Sequence, residues 1–183
     1  MNSAAVGHLN LIVATSLEVK RSYFERHAEE VSRAAALIAE AFRAGGKLLV
    51  CVVNQFLLKS RRALPALALT TDGGVLTCVA NDTGFERVFA RQVEAFGAGG
   101  DVLLAITTSG NSKNVVAAAE VARARGMKVV GMLGRDGGRV RALCDLALVV
   151  ESDDTQRIQE THNLVGHVLC DLVERLLFHE GAE

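Results

Sequence analysis

From Gly46 onward the sequence alternates between short apolar runs and amphipathic segments, and this alternation restricts the fold more than any other feature. The runs are Lys47-Leu48-Leu49-Val50-Cys51-Val52-Val53 and then residues 66–70, 101–106, 128–133 and 146–150. Each is short and rich in branched aliphatic side chains, the pattern of strands buried on both faces. Between them, residues 85–96 and 113–125 carry helical periodicity, with Gly126 closing the second, and 138–143 is a shorter segment of the same kind. Strand alternating with helix predicts βαβ units: an α/β fold with a doubly wound, parallel five-stranded sheet and helices on both faces. Half of the 183 residues are hydrophobic, yet there is no Trp, one Tyr and seven Phe, so the core must be built from Val, Leu, Ile and Ala.

The sheet region is flanked by helices. Residues 8–44 read as helical, with Val31, Ala34, Ala35, Leu37, Ile38, Ala41 and Phe42 at helical spacing and Gly45-Gly46 as a C-cap. A stretch of this length is expected to form two helices, broken near residues 25–29. The first, with Leu9, Ile12, Val13, Leu17 and Phe24, is too apolar to lie alone and is expected to pack on the main domain or on another subunit. Residues 153–179 read as a long final helix with capping chemistry at Asp153, Asp154 and Thr155 and an apolar stripe from Ile158 to Leu177. The expected organisation is one domain over residues 1–183, with 1–44 as an N-terminal helical extension.

Net charge is −1 with both signs spread along the chain, which gives no sign of a nucleic-acid or membrane surface. Cys51, Cys78, Cys144 and Cys170 form no C-x-x-C pair and lie at no zinc-finger spacing from a histidine, so they read as small hydrophobes in a reducing compartment. The start shows no basic-then-apolar leader and no run is long enough to span a membrane, so the cytoplasm is the expected location.

The stretch most informative about chemistry is Thr107-Thr108-Ser109-Gly110-Asn111-Ser112, directly after a strand and directly before a helix. Four hydroxyls around a glycine, at a helix N-terminus with unsatisfied N–H groups, suit a phosphate: the hydroxyls donate, the helix end is partly positive, and glycine lets the backbone come close. In open parallel sheets ligands bind outside the carboxyl ends of the strands, which is where this turn falls. The same residues also suit an ordinary Ser- or Asn-capped helix start. The loop is neither a Walker loop nor a dinucleotide fingerprint. One connection is short: about a dozen residues separate the first two strands, the bare minimum for a parallel crossover.

In its strand–turn–helix setting the 107–112 stretch resembles the phosphate-binding loop of SIS-type sugar-phosphate domains. Further segments resemble the phosphoheptose isomerase family in particular: residues 64–72, Asn81-Asp82-Thr83-Gly84-Phe85, Phe89-Ala90-Arg91-Gln92-Val93, Gly134-Arg135-Asp136-Gly137-Gly138, and 152–160 continuing through His162 to Gly166-His167. The resemblance spans nearly all of the chain from Lys47. It implies that Thr107, Thr108, Ser109 and Ser112 hold a substrate phosphate. Asn81, Asp82 and Gln159 would meet the sugar, and Gln159 and His167 would be ligands of one zinc ion per subunit. His167 would also be the acid/base of an aldose–ketose isomerisation of sedoheptulose 7-phosphate, a step early in heptose synthesis for envelope polysaccharide. It further implies a homotetramer with sites at subunit interfaces.

The bottom-up reading of His167 is less direct. It lies eight residues from Gln159, about 12 Å along a helix, so the two side chains would have to lean together or two subunits contribute. A histidine on a half-apolar helix is more commonly a packed or hydrogen-bonded residue; His8, His27, His162 and His179 read as surface or packing residues. The family also places a glycine-rich turn after the first strand, then a helix bearing a histidine and a glutamate that complete the zinc site and supply the catalytic base. Here Cys51-Val52-Val53-Asn54-Gln55-Phe56-Leu57 stands in that place and resembles only the far end of that helix, which coincides with the short connection. Without that segment the resemblance implies a non-catalytic relative, one that binds sugar phosphates or associates with a replication initiator.

Overall fold

The computed structural model describes residues 3–50 and 62–178. Five parallel strands, β1 (Leu48–Val50), β2 (Ala66–Ala68), β3 (Val102–Thr107), β4 (Lys128–Gly134) and β5 (Leu146–Val150), form one sheet in the order β2-β1-β3-β4-β5. The α/β fold class and the five-stranded parallel sheet agree with the sequence reading. The order reverses between β1 and β3, and the crevice at the carboxyl ends of such a pair is where doubly wound folds bind ligands.

Alternate residues of each strand feed two separate cores. Val50, Val102, Leu104, Val130, Met132, Leu148 and Val150 face α1 (Ser3–Arg43) and α6 (Thr155–Phe178). Leu49, Leu103, Ala105, Val129, Leu133 and Val149 face α3 (Ala90–Phe96), α4 (Lys113–Ala124) and α5 (Gly138–Arg141). Because both faces are covered, the strands carry no polar alternation.

Register is fixed by two carboxylates used in the same way. Asp101, 3% exposed, accepts from the Lys47 backbone N–H at 2.9 Å, from Lys47 Nζ at 2.6 Å and from the Ala98 N–H at 2.8 Å, joining the starts of β1 and β3. Asp145 repeats the device, accepting from Lys128 Nζ at 2.9 Å and the Val129 N–H at 2.8 Å beside the starts of β4 and β5.

α1 is one continuous helix of 41 residues, not two with a break near residues 25–29. No glycine or proline interrupts that region. The charges at Glu25, Arg26 and Glu29 face solvent while Tyr23, Val31, Ala34, Ala35, Ile38 and Phe42 keep one inward phase. Its end is the expected glycine cap: Gly45 has φ +82°, and the N–H groups of Gly46 and Gly45 donate to Ala41 O and Phe42 O, the Schellman pattern. In the N-terminal half, Ile12 O accepts from Arg157 of α6 at 2.9 Å and Ser16 donates to Glu160, while Leu9, Leu11, Val13 and Leu17 are each about half or more exposed.

Two further expectations change. Residues 85–96 are not one helix but a single 3₁₀ turn (Phe85–Arg87) followed by α3. Before them lies a helix that the strand-and-helix pattern did not suggest, α2 (Gly73–Thr83), capped by Asp72, whose carboxylate accepts from the Val75 N–H at 3.0 Å. The short connection after β1 falls mostly outside the described residues.

Candidate active site

The loop 107–112 leaves the carboxyl end of β3, the strand beside the order reversal, and enters α4. Thr107 is buried and Gly110 is buried, while Thr108, Ser109 and Ser112 are half-buried. Ser112 occupies the N-cap position of α4, yet its side chain makes no capping bond. Its hydroxyl lies 2.9 Å from Thr107 Oγ1 instead. That geometry differs from an ordinary serine-capped start. The Lys113 and Asn114 amides then find no acceptor among the described residues, as the first N–H groups of a helix do when nothing caps them. Amides, hydroxyls and the positive end of the helix dipole thus share one small open surface, which is the donor set that an anion such as a phosphate requires.

A second turn backs this loop. Gly134 at the end of β4 touches it so closely that a Cβ there would overlap Thr108 O and also meet the Ile158 side chain of α6. Gly110, at φ +65°, has no room for a Cβ against the Gly137 carbonyl. The Val140 N–H donates to Gly110 O at 2.9 Å. Two α6 residues therefore register that helix on the β4 end: Ile158 against Gly134, and the buried His162, whose Nε2–H donates to Leu133 O at 3.0 Å. Leu133 pairs with Thr107 across the sheet, so the helix start and the loop share one support.

The other expected site residues lie on α2 and α6. Asn81 and Asp82 sit exposed in the last turn of α2, bonded to each other at 3.0 Å. The 3₁₀ turn that follows them packs on α4. Gln92, quoted in the same motif, is buried and ties α3 to the β2 end by donating to Leu69 O and Val88 O, both at 2.9 Å. Gln159 is exposed near the start of α6. His167 is exposed eight residues on, at about 12 Å along the axis. Among the described residues no three His, Cys, Asp or Glu side chains come together. Zinc takes about four donors, so Gln159 and His167 alone do not make a zinc site. Two cavities of about 140 and 470 Å³ line α1 and do not reach the loop.

The sequence reading placed Gly110 and Asn111 in the loop but connected neither to the turn that Gly137-Gly138 forms. The signal was present in the adjacent pair Gly137-Gly138, which resembled the family motif but had no assigned purpose.

Comparison with known proteins agrees with this geometry. A family model described as the SIS domain matches residues 53–134. The phosphoheptose isomerase of Pelobacter propionicus is 48% identical over 185 residues, covering 91% of this chain and 97% of that protein. With the phosphoheptose isomerase of Solidesulfovibrio magneticus the identity is 45% and this chain is covered completely. That alignment runs over 198 positions, 15 more than the 183 residues here. The solved structure of a phosphoheptose isomerase from Francisella tularensis superposes with a TM-score of 0.88 at 34% identity, over 93% of this chain and 98% of that one. On identity and coverage of this order, the chain belongs to the phosphoheptose isomerase family.

Proposed function

We propose that the chain is an isomerase that converts D-sedoheptulose 7-phosphate to D-glycero-D-manno-heptose 7-phosphate. The observation that carries the reading is the uncapped, hydroxyl-rich start of α4 at the sheet's order reversal, in a chain similar to phosphoheptose isomerases over nearly its whole length. Thr107, Thr108, Ser109 and Ser112 hold the C7 phosphate, and Asn81, Asp82 and Gln159 meet the sugar hydroxyls. The reaction removes a proton from C1 of the ketose, passes through an enediol and returns a proton to C2. His167 is the residue assigned to handle one of these protons.

His167 stands about 13 Å along α6 from Ile158, which touches the β4 turn beside the loop. The reading therefore includes a site shared between copies, in a homotetramer. The exposed apolar residues of α1 supply a surface for such contacts. Gln159 and His167 would supply two of the roughly four donors that zinc takes, and metal analysis of the purified protein tests whether the ion is held. The assigned compartment is the cytoplasm, and among the described residues no helix is long and apolar enough to cross a membrane. The product would feed heptose synthesis for envelope polysaccharide.

A second reading, sugar-phosphate binding without turnover, is the weaker one, since the relatives that match nearly the whole chain are named phosphoheptose isomerases. Conversion of sedoheptulose 7-phosphate that disappears in His167→Ala supports the enzyme. Binding of the same compound with no conversion supports the second reading.

A further inference from the structure

We propose that Asn111 is a positioning residue that clamps the phosphate loop to the turn 134–140, and that Gly110 and Gly138 are glycines in order to admit the clamp. The inference rests on the reading of 107–112 as a phosphate cradle. The Asn111 carboxamide is used at both ends inside the protein: Nδ2 donates to Ser109 O at 2.9 Å, and Oδ1 accepts from the Arg139 N–H at 3.1 Å. Its backbone N–H donates to Ser109 Oγ at 3.1 Å. The next amide of the turn, Val140 N–H, donates to Gly110 O at 2.9 Å. Two consecutive amides of the turn thus hold two consecutive residues of the loop.

The backbones meet without side chains between them. A Cβ on Gly110 would overlap Gly137 O, and a Cβ on Gly138 would lie 2.5 Å from Asn111 Nδ2 and 2.7 Å from Gly110 C. Gly110, Gly137 and Gly138 have positive φ, at +65°, +88° and +52°, a region that other residues enter at a cost. The turn is itself braced, with Asp136 Oδ1 accepting from the Gly138 N–H at 3.0 Å and the Gly137 N–H donating to Gly134 O at 3.0 Å. Asn111 has both ends of its amide committed and acts on a phosphate through Ser109 and the shape of the loop. A loop held in its binding shape before the ligand arrives loses less entropy on binding.

The reacting carbons are at the opposite end of the sugar from the phosphate, so the grip of the loop is the same in substrate and transition state. Loss of such uniform binding raises KM and leaves kcat. Asn111→Ala is expected to raise KM for sedoheptulose 7-phosphate about tenfold with kcat within about twofold, the scale of one or two lost hydrogen bonds. Amide exchange at Arg139 and Val140 should quicken in the same variant. Unchanged KM, a fall in kcat alone, or unchanged exchange at both amides overturns the clamp. If Asn111→Ala does not fold, Asn111→Ser, too short to span both partners, carries the same expectations. If the wild-type protein shows no turnover, the isomerase reading fails on its own. The clamp is then decided by exchange and by the calorimetric affinity for sedoheptulose 7-phosphate, where equal affinity in the variant, or no affinity in the wild type, overturns it.

Discussion

The His162 imidazole is 5% exposed and donates from Nε2 to the Leu133 carbonyl beneath the candidate site. Burial pushes its pKa below the ordinary histidine value, although the bond to Leu133 pulls the other way. In the unfolded chain the ring titrates near 6.5. Between the lowered folded value and about 6.5 the unfolded state binds more protons than the folded one, so stability falls as pH falls through that window. The slope from one such group is at most about 1.4 kcal/mol per pH unit. Denaturant midpoints from pH 7.5 to 5 should decline in the wild type, and His162→Gln should lose part of the slope. An identical slope in the variant would show that His162 stays in one protonation state throughout. His162 also shows what was legible at this scale. From sequence it reads as a surface or packing residue, and its partner, a carbonyl on a strand 29 residues away, lies beyond any local pattern.

Among the elements, the sheet depends on Asp101 as much as on its apolar runs. Burial works to raise the pKa of this carboxyl, and the hydrogen bonds from Lys47 and Ala98 outweigh it, so the net shift is downward. Removing the carboxylate strands the Lys47 and Ala98 amides at the junction of β1 and β3. Asp101→Ala should cost on the order of 3 kcal/mol in unfolding free energy, measured by urea titration; a loss below about 0.5 kcal/mol would mean that the strands keep register without it. Element type followed closely from sequence because each strand is buried on both faces and each helix keeps one phase. Boundaries failed where phase and burial part company: α2 buries none of its residues fully and so shows little stripe, and α1 hides its continuity behind a run of charges that all face water. The exposed apolar residues of α1 lead to another test of the proposed homotetramer. Leu9→Glu with Leu17→Glu should shift it toward smaller species in sedimentation velocity, whereas an unchanged coefficient would place the contact elsewhere on the chain.

Taken as a whole, the molecule presents the proposed phosphate loop, braced by the β4 turn and by the start of α6, with the expected sugar-facing and proton-handling residues spread over α2 and α6. The proposed cradle could be named from sequence because its chemistry is local: six residues, one strand end and one helix start. Gln159 and His167 were nameable only through resemblance, since eight residues of helix separate them and neither spacing nor burial marks them as partners. Turnover of sedoheptulose 7-phosphate by the purified chain, followed by appearance of the aldose phosphate, tests the isomerase reading most directly. Conversion at a rate proportional to enzyme, and lost in His167→Ala, is the expected result. Tight binding of the compound with no conversion above the buffer rate would contradict the isomerase reading.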